Sequence, residues 1–205
     1  MSVMSFPEKT ARCRRSAMSR ALCPFLWGVN PVSPETHLRD EAVGVGWMIF
    51  LLIAMRTLLI VYHSQSGNTE ALAQAVYRGA SQNAGTRSRL LTAFDAHLAD
   101  LLDCHGVIFG TPENFGYMSG ALKHFFDRTF YPAQDYALNL PYALFISAGN
   151  DGTGAVREID RILTGYPMRK VAEPVICRGC VTPAHLEACE TLGLSLAAGL
   201  ELGIF

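Results

Sequence analysis

Charge is scarce in this chain. Only 17% of its 205 residues are Asp, Glu, Lys or Arg, and the two signs nearly cancel at a net charge of −1. Such a balance supplies no basic footprint for nucleic acid and no polybasic attraction to an anionic bilayer. Cysteine is sparse too: six in this length cannot make a disulfide scaffold, and they read as reduced thiols of a cytoplasmic protein. No apolar run reaches the roughly 18 residues a membrane span needs. The nearest stretch, Val43–Tyr62, is broken by Arg56, and Val43–Met55 alone is too short. An export leader is disfavoured as well. Pro24 interrupts the apolar Ala21–Val29, no small-residue cleavage site follows, and the Arg14-Arg15 pair precedes no long apolar region. What the chain does have is hydrophobic material, 50% of its residues, enough for a sizeable core.

The sequence divides near Met55. Residues 1–54 carry Pro7, Pro24, Pro31 and Pro34 and show no sustained helical or strand period, so they read as a poorly ordered extension. An over-long start, with Met55 as the working initiator, fits the same pattern. From residue 55 to 205, apolar runs and amphipathic segments alternate, with 11 basic against 14 acidic residues. Leu58–Tyr62, Arg89–Thr92, Val107–Phe109, Tyr142–Ile146 and Val171–Cys177 are the expected strands; Pro174 puts the fifth at an edge because it cannot donate to a ladder. Helices are expected over Glu70–Gln82, Asp95–Leu102, Ser119–Phe130 and Gly154–Leu163, and after the Thr182-Pro183 cap. Gly79 is expected to let its helix lie close to the sheet. Five strands alternating with five helices give an α/β, doubly wound, five-stranded parallel sheet with helices on both faces. The favoured order is 2-1-3-4-5, which leaves the polar second strand and the Pro174 strand at the edges.

In such a sheet, ligands bind beyond the carboxyl ends of the strands, at the switch point between the first and third. Three unusual loops fall there. After strand one, Ser64-Gln65-Ser66-Gly67-Asn68-Thr69 runs straight into a helix, bringing hydroxyls and helix amides together as a phosphate cradle. It contains no lysine, which excludes a triphosphatase P-loop, and no GxGxxG dinucleotide fingerprint is present. The plainer alternative is that Ser66–Thr69 only caps the helix. After strand three, Thr111-Pro112-Glu113-Asn114-Phe115-Gly116 mixes rigid, flexible, aromatic and polar residues in a way that suits a planar heterocycle. After strand four, Ser147 and Gly149-Asn150-Asp151-Gly152 allow backbone amides close approach to a ligand. Either of these loops alone reads as an ordinary turn; all three at one sheet end point to a site.

Two stretches, LLIVYHSQSGNTEALA (Leu58–Ala73) and GTPENFGYMSGALKHFFD (Gly110–Asp127), resemble the flavodoxin-like family of FMN-binding proteins. The second is most similar to its NAD(P)H-dependent FMN reductase and quinone reductase branch. The resemblance implies the 2-1-3-4-5 order already known for flavodoxin, with FMN at the switch point. It implies that Ser64, Ser66, Gly67, Asn68 and Thr69, with Gln65 in the same loop, hold the FMN phosphate. Thr111, Pro112, Glu113, Asn114, Phe115 and Gly116 would border the isoalloxazine, and Ser147, Gly149, Asn150, Asp151 and Gly152 would close the far side. Two departures separate the chain from the quinone reductases: Gln65-Ser66 replaces their aromatic in the phosphate loop, and their long insertion after strand four is missing.

The expected function is that of an FMN-dependent oxidoreductase passing electrons from NAD(P)H to a small-molecule acceptor such as a quinone or flavin. The flavin does the chemistry, so no catalytic side chain is named. The alternative is a flavodoxin-type electron carrier serving a protein partner, against which the modest acidity of residues 56–205 counts. No metal, nucleic acid or membrane partner is expected, and homo-oligomerisation is left open. Cys177-Arg178-Gly179-Cys180 reads as structural thiols, because Thr182-Pro183 and not the cysteine pair opens the helix. His63 is read as a packed or solvated histidine, His124 as surface, and Phe125-Phe126 as core.

Overall fold

A run without a polar side chain can be buried on both faces, and Leu58–Val61 is such a run. In the computed structural model, which describes residues 55–205, it forms β1 (Arg56–Tyr62) at the centre of a parallel sheet. The expected extension over residues 1–54 lies outside the described residues. β1 is flanked by β2 (Thr86–Thr92) and β3 (Gly106–Asn114), with Ile60 opposite Leu90 on one side and Ile108 on the other. β3 pairs with β5 (Pro141–Ala148), and β5 pairs with both β6 (Arg169–Lys170) and β7 (Val175–Arg178). A two-residue β4 (Tyr117–Met118) folds back antiparallel on the end of β3. The doubly wound order 2-1-3-4-5 is therefore present, its fifth place shared by β6 and β7.

Alternate residues of the central strands feed two cores, as the period of a strand requires. Leu58, Ile60, Ile108 and Phe145 pack under α1 (Asn68–Ser81) and α5 (Pro183–Glu201). Leu59, Val61, Phe109 and Ile146 pack on the opposite face with α2 (Leu98–Leu102), α3 (Gly120–Ala133) and α4 (Thr153–Gly165). Phe125 and Phe126 are core residues of that second face, the first tilted against Phe109 and the second edge-on to it.

The structure corrects four readings. Gly79 does not bring α1 onto the sheet; it brings α1 onto α5, where an added Cβ would stand 1.9 Å from the Glu190 carbonyl oxygen. Gly193 answers it from α5, its added Cβ falling 2.0 Å from the Val76 oxygen. Of the expected fifth strand, Val171–Cys177, only Val175–Cys177 lies in a strand, β7; it starts after Pro174, which has no N–H to donate, and β6 precedes the expected range. The short second helix begins at Leu98 rather than Asp95, since Asp95 is used in a turn in which its N–H donates to Thr92 Oγ1 (3.3 Å). Lastly, β3 extends through Asn114, so four residues expected in a loop are strand; the two-residue strands β4 and β6 bring the sheet to seven strands rather than five.

Candidate functional site

Because β1, β3 and β5 are parallel neighbours, the loops that follow them emerge at one end of the sheet. The first loop starts beside the second: His63 N–H donates to Gly110 O (3.1 Å). It then turns at Gly67, whose φ of +90° places it in the left-handed region that glycine reaches without steric cost. Ser64 Oγ accepts from Gly67 N–H (3.1 Å) and fixes that turn. Gly67 is the N-cap of α1, and no side chain caps the helix. Ser66–Thr69 therefore does not act as an ordinary side-chain cap. The N-terminus of α1 is left with amide donors and a partial positive charge beside exposed Gln65, Ser66, Gly67 and Asn68. Thr69 differs from its neighbours: it is turned inward and only 2% exposed.

The second loop is a β-hairpin. Glu113 pairs with Met118 and Asn114 with Tyr117, leaving Phe115 and Gly116 as the two-residue turn. Both have positive φ, +55° and +71°, the requirement of the tight turn that matches strand twist. Phe115 at the tip is fully exposed. Thr111 is fully buried and committed to the fold: its hydroxyl accepts from Ser119 N–H (2.9 Å) and donates to Pro112 O (2.9 Å).

The third loop begins in register with the second, Ser147 opposite Pro112. Gly149 and Asn150 are exposed, and Gly152 (φ +77°) is the N-cap of α4. Asp151 accepts from both Thr153 N–H (2.9 Å) and Thr153 Oγ1–H (2.8 Å), and these bonds hold its carboxyl below the usual carboxylate range. The side chain of Glu113 reaches across from the hairpin, accepting from Gly152 N–H at Oε2 (3.1 Å) and from Ala155 N–H at Oε1 (3.2 Å). The structure thus brings the second and third loops together through one carboxylate. It places that carboxylate on α4, a use the sequence reading did not foresee.

Two further features flank the loops. Phe94, 60% exposed just after β2, meets the His63 ring edge-on (5.9 Å) and lies 6.5 Å from that of His124. The sequence reading missed Phe94; an aromatic directly after a strand at the ligand end of the sheet was the available signal. His63 Nδ1 is buried without a protein partner, and burial holds its imidazole below the ordinary value. A cleft of about 350 Å³ opens between α3 and α4, lined by Tyr117, Phe130, Tyr131 and Arg161 among others; it flanks the hairpin rather than the switch point. Cys177 is buried in β7 and Cys180 is exposed; both are free thiols, and α5 opens only at Pro183. Among the described residues no cluster of His, Cys, Asp and Glu could hold a metal ion, and no helix is long and apolar enough to cross a membrane.

Solved structures with this architecture include an archaeal flavodoxin, of which the chain covers 99% at 23% identity and a TM-score of 0.63, over 71% of its own length. A WrbA-like flavodoxin from Agrobacterium tumefaciens is covered to 98%, at 21% identity and a TM-score of 0.61, over 72% of this chain. The chain's fold is that of a flavodoxin. Residues 92–176 match the model of the NADPH-dependent FMN reductase family. A flavodoxin of Aquifex aeolicus (strain VF5) is 37% identical over 73 residues, 36% of this chain and 40% of that protein. An NAD(P)H dehydrogenase (quinone) of Acidithiobacillus ferrooxidans is 34% identical over 95 residues, 37% of this chain and 48% of that protein. The flavodoxin-like chain spans less than half the length of these two curated relatives.

Proposed function

We propose that this protein is an FMN-dependent oxidoreductase that draws on NAD(P)H and serves a small acceptor such as a quinone or a flavin. The observation that carries the reading is the uncapped N-terminus of α1, set at the switch point beside two ring-sized loops. The donor set fits a phosphate monoester: neutral hydroxyls and amides, with no lysine among Ser64–Thr69. Ser64, Ser66, Gly67 and Asn68 would make the direct contacts, Ser64 also shaping the turn that presents them, and Thr69 would support them from beneath. Asn114, Phe115 and Gly116 would border the ring on one side, and Gly149, Asn150 and Asp151 on the other. FMN held there would supply the redox chemistry, accepting a hydride from NAD(P)H and passing electrons to the acceptor. The protein's part is to bind, orient and tune.

The enzyme reading is supported by the poverty of ring cover. Tyr117 lines the cleft between α3 and α4, and Ser147–Gly154 contains no aromatic, so within the two ring loops only Phe115 is free to shield a ring face, Phe94 standing on the β2 side. A bare face admits a nicotinamide. The near-complete coverage of a flavodoxin favours a second reading, an electron carrier for a protein partner. Anaerobic addition of NADH and NADPH to the FMN-loaded protein separates the two. Bleaching of the flavin without an added reductase, and its recovery with a quinone over repeated cycles, is the expected result. Bleaching only through a separate flavoprotein reductase would replace the enzyme reading with the carrier.

A further inference from the structure

The hairpin over β3 and β4 and the loop between β5 and α4 are joined at two points. Glu113 places both carboxylate oxygens on the first turn of α4, bonding Gly152 N–H and Ala155 N–H. Gly154 seats the hairpin tip against the same turn: an added Cβ there would stand 2.1 Å from Gly116 O and 3.1 Å from Glu113 Oε1. Helix α4 has no side-chain cap from its own N-cap residue, Gly152; Asp151 takes the Thr153 N–H, and Glu113, from another element, takes those of Gly152 and Ala155. A carboxylate at a helix N-terminus satisfies orphan amides and the positive end of the helix dipole together.

We propose that Glu113 is a positioning residue for the redox centre: it latches the two loops that border the ring into one unit and fixes their electrostatics. This rests on the FMN reading above. The side chain does not face the ring as a contact; it acts through the helix it caps. Together with Asp151, the Glu113 carboxylate masks the positive end of α4. Removing Glu113 leaves only Asp151 on that end and takes away a formal negative charge, and both changes favour added electrons nearby. Loss of Glu113 therefore moves the potential of bound FMN to a more positive value.

The test uses the full chain with Glu113→Gln, which keeps shape but loses charge and one acceptor, and Glu113→Asp, which keeps charge but is too short to reach both amides. In the cofactor-free proteins, amide exchange at Gly152 and Ala155 should quicken about tenfold in both variants, as loss of one charge-assisted bond implies. FMN affinity should fall by about the same factor in each. The potential of bound FMN should turn more positive in Glu113→Gln than in Glu113→Asp, a difference that simple loosening would not produce. Unchanged exchange in both variants overturns the latch. Faster exchange with unchanged affinity and potential overturns the positioning role. Should the parent chain bind no FMN, the cofactor reading falls, and the exchange arm decides the latch without it.

Discussion

A serine that only donates to a ligand and a serine that also shapes the loop should respond differently to truncation, and Ser64 and Ser66 are such a pair. Ser64 Oγ accepts from Gly67 N–H, whereas Ser66 is exposed in the turn beside it. Ser66→Ala is expected to weaken FMN by about 1–2 kcal/mol, and Ser64→Ala by about 1 kcal/mol more because the Gly67 turn is released as well. Isothermal titration of both variants checks the order; equal losses would mean that Ser64 has no shaping role. The cysteines give a second contrast. Burial pushes the Cys104 and Cys189 thiols up to about 12 and raises that of Cys177, while Cys180 is exposed. The thiolate is the nucleophile, so iodoacetamide should label Cys180 quickly and leave those three unmodified in the folded protein. Rapid labelling of both Cys177 and Cys180 would instead mark the pair as a reactive dithiol. That three loops of unusual composition gather at one end of the sheet was legible at this scale, from Ser64–Thr69 and its two companions. The role of Glu113 was not, since its partners lie 39 and 42 positions away and no local pattern points to them.

At the scale of elements, helix pairing is set by two glycines whose significance a single helix does not reveal. Periodicity places Gly79 on the buried face of α1, but only the tertiary arrangement shows that the face meets α5 as a backbone-to-backbone contact. Gly79→Ala gains about 1 kcal/mol of helix propensity and costs about 3 kcal/mol of overpacking, since the colliding atom is a main-chain oxygen that cannot swing aside. A net loss of about 2 kcal/mol is expected in urea unfolding. A neutral or stabilising result would show that the helices can part freely. Salt bridging between Arg78 and Glu190 (2.7 Å) spans the same helix pair, but both side chains are substantially exposed, so it adds little. The order of the sheet was legible because each central strand is a short apolar run. The length of β3 was not: Pro112 and Glu113 argue against strand by propensity, and the Phe115-Gly116 turn that holds β4 against them overrides it.

At the scale of the molecule, the half-buried imidazoles of His63 and His105 set the pH response. His105 Nδ1 accepts from Thr57 N–H (3.1 Å) at the opposite end of the sheet from the loops. Burial first, and the charge of Arg56 second, hold His105 below the ordinary 6.5, and burial does the same to His63. With folded values depressed, the unfolded chain takes up protons first as the pH falls. Stability is therefore complete above the ordinary histidine value and is lost as pH drops through it toward the folded values. The urea midpoint should fall between about pH 7 and pH 5.5, and His105→Asn, which retains an acceptor but cannot titrate, should flatten part of that slope. A midpoint that rises over this window would contradict the burial of both rings.

The central claim is that the N-terminus of α1 and its serine-rich turn form a site for the phosphate of FMN. Parallel titrations of the full chain with FMN and with riboflavin, which differ only in that phosphate, address it most directly. Several charge-assisted bonds to neutral donors should make FMN bind about 100-fold tighter or more. Equal affinity for the two flavins would contradict the account, because the cradle would then be contributing nothing to binding.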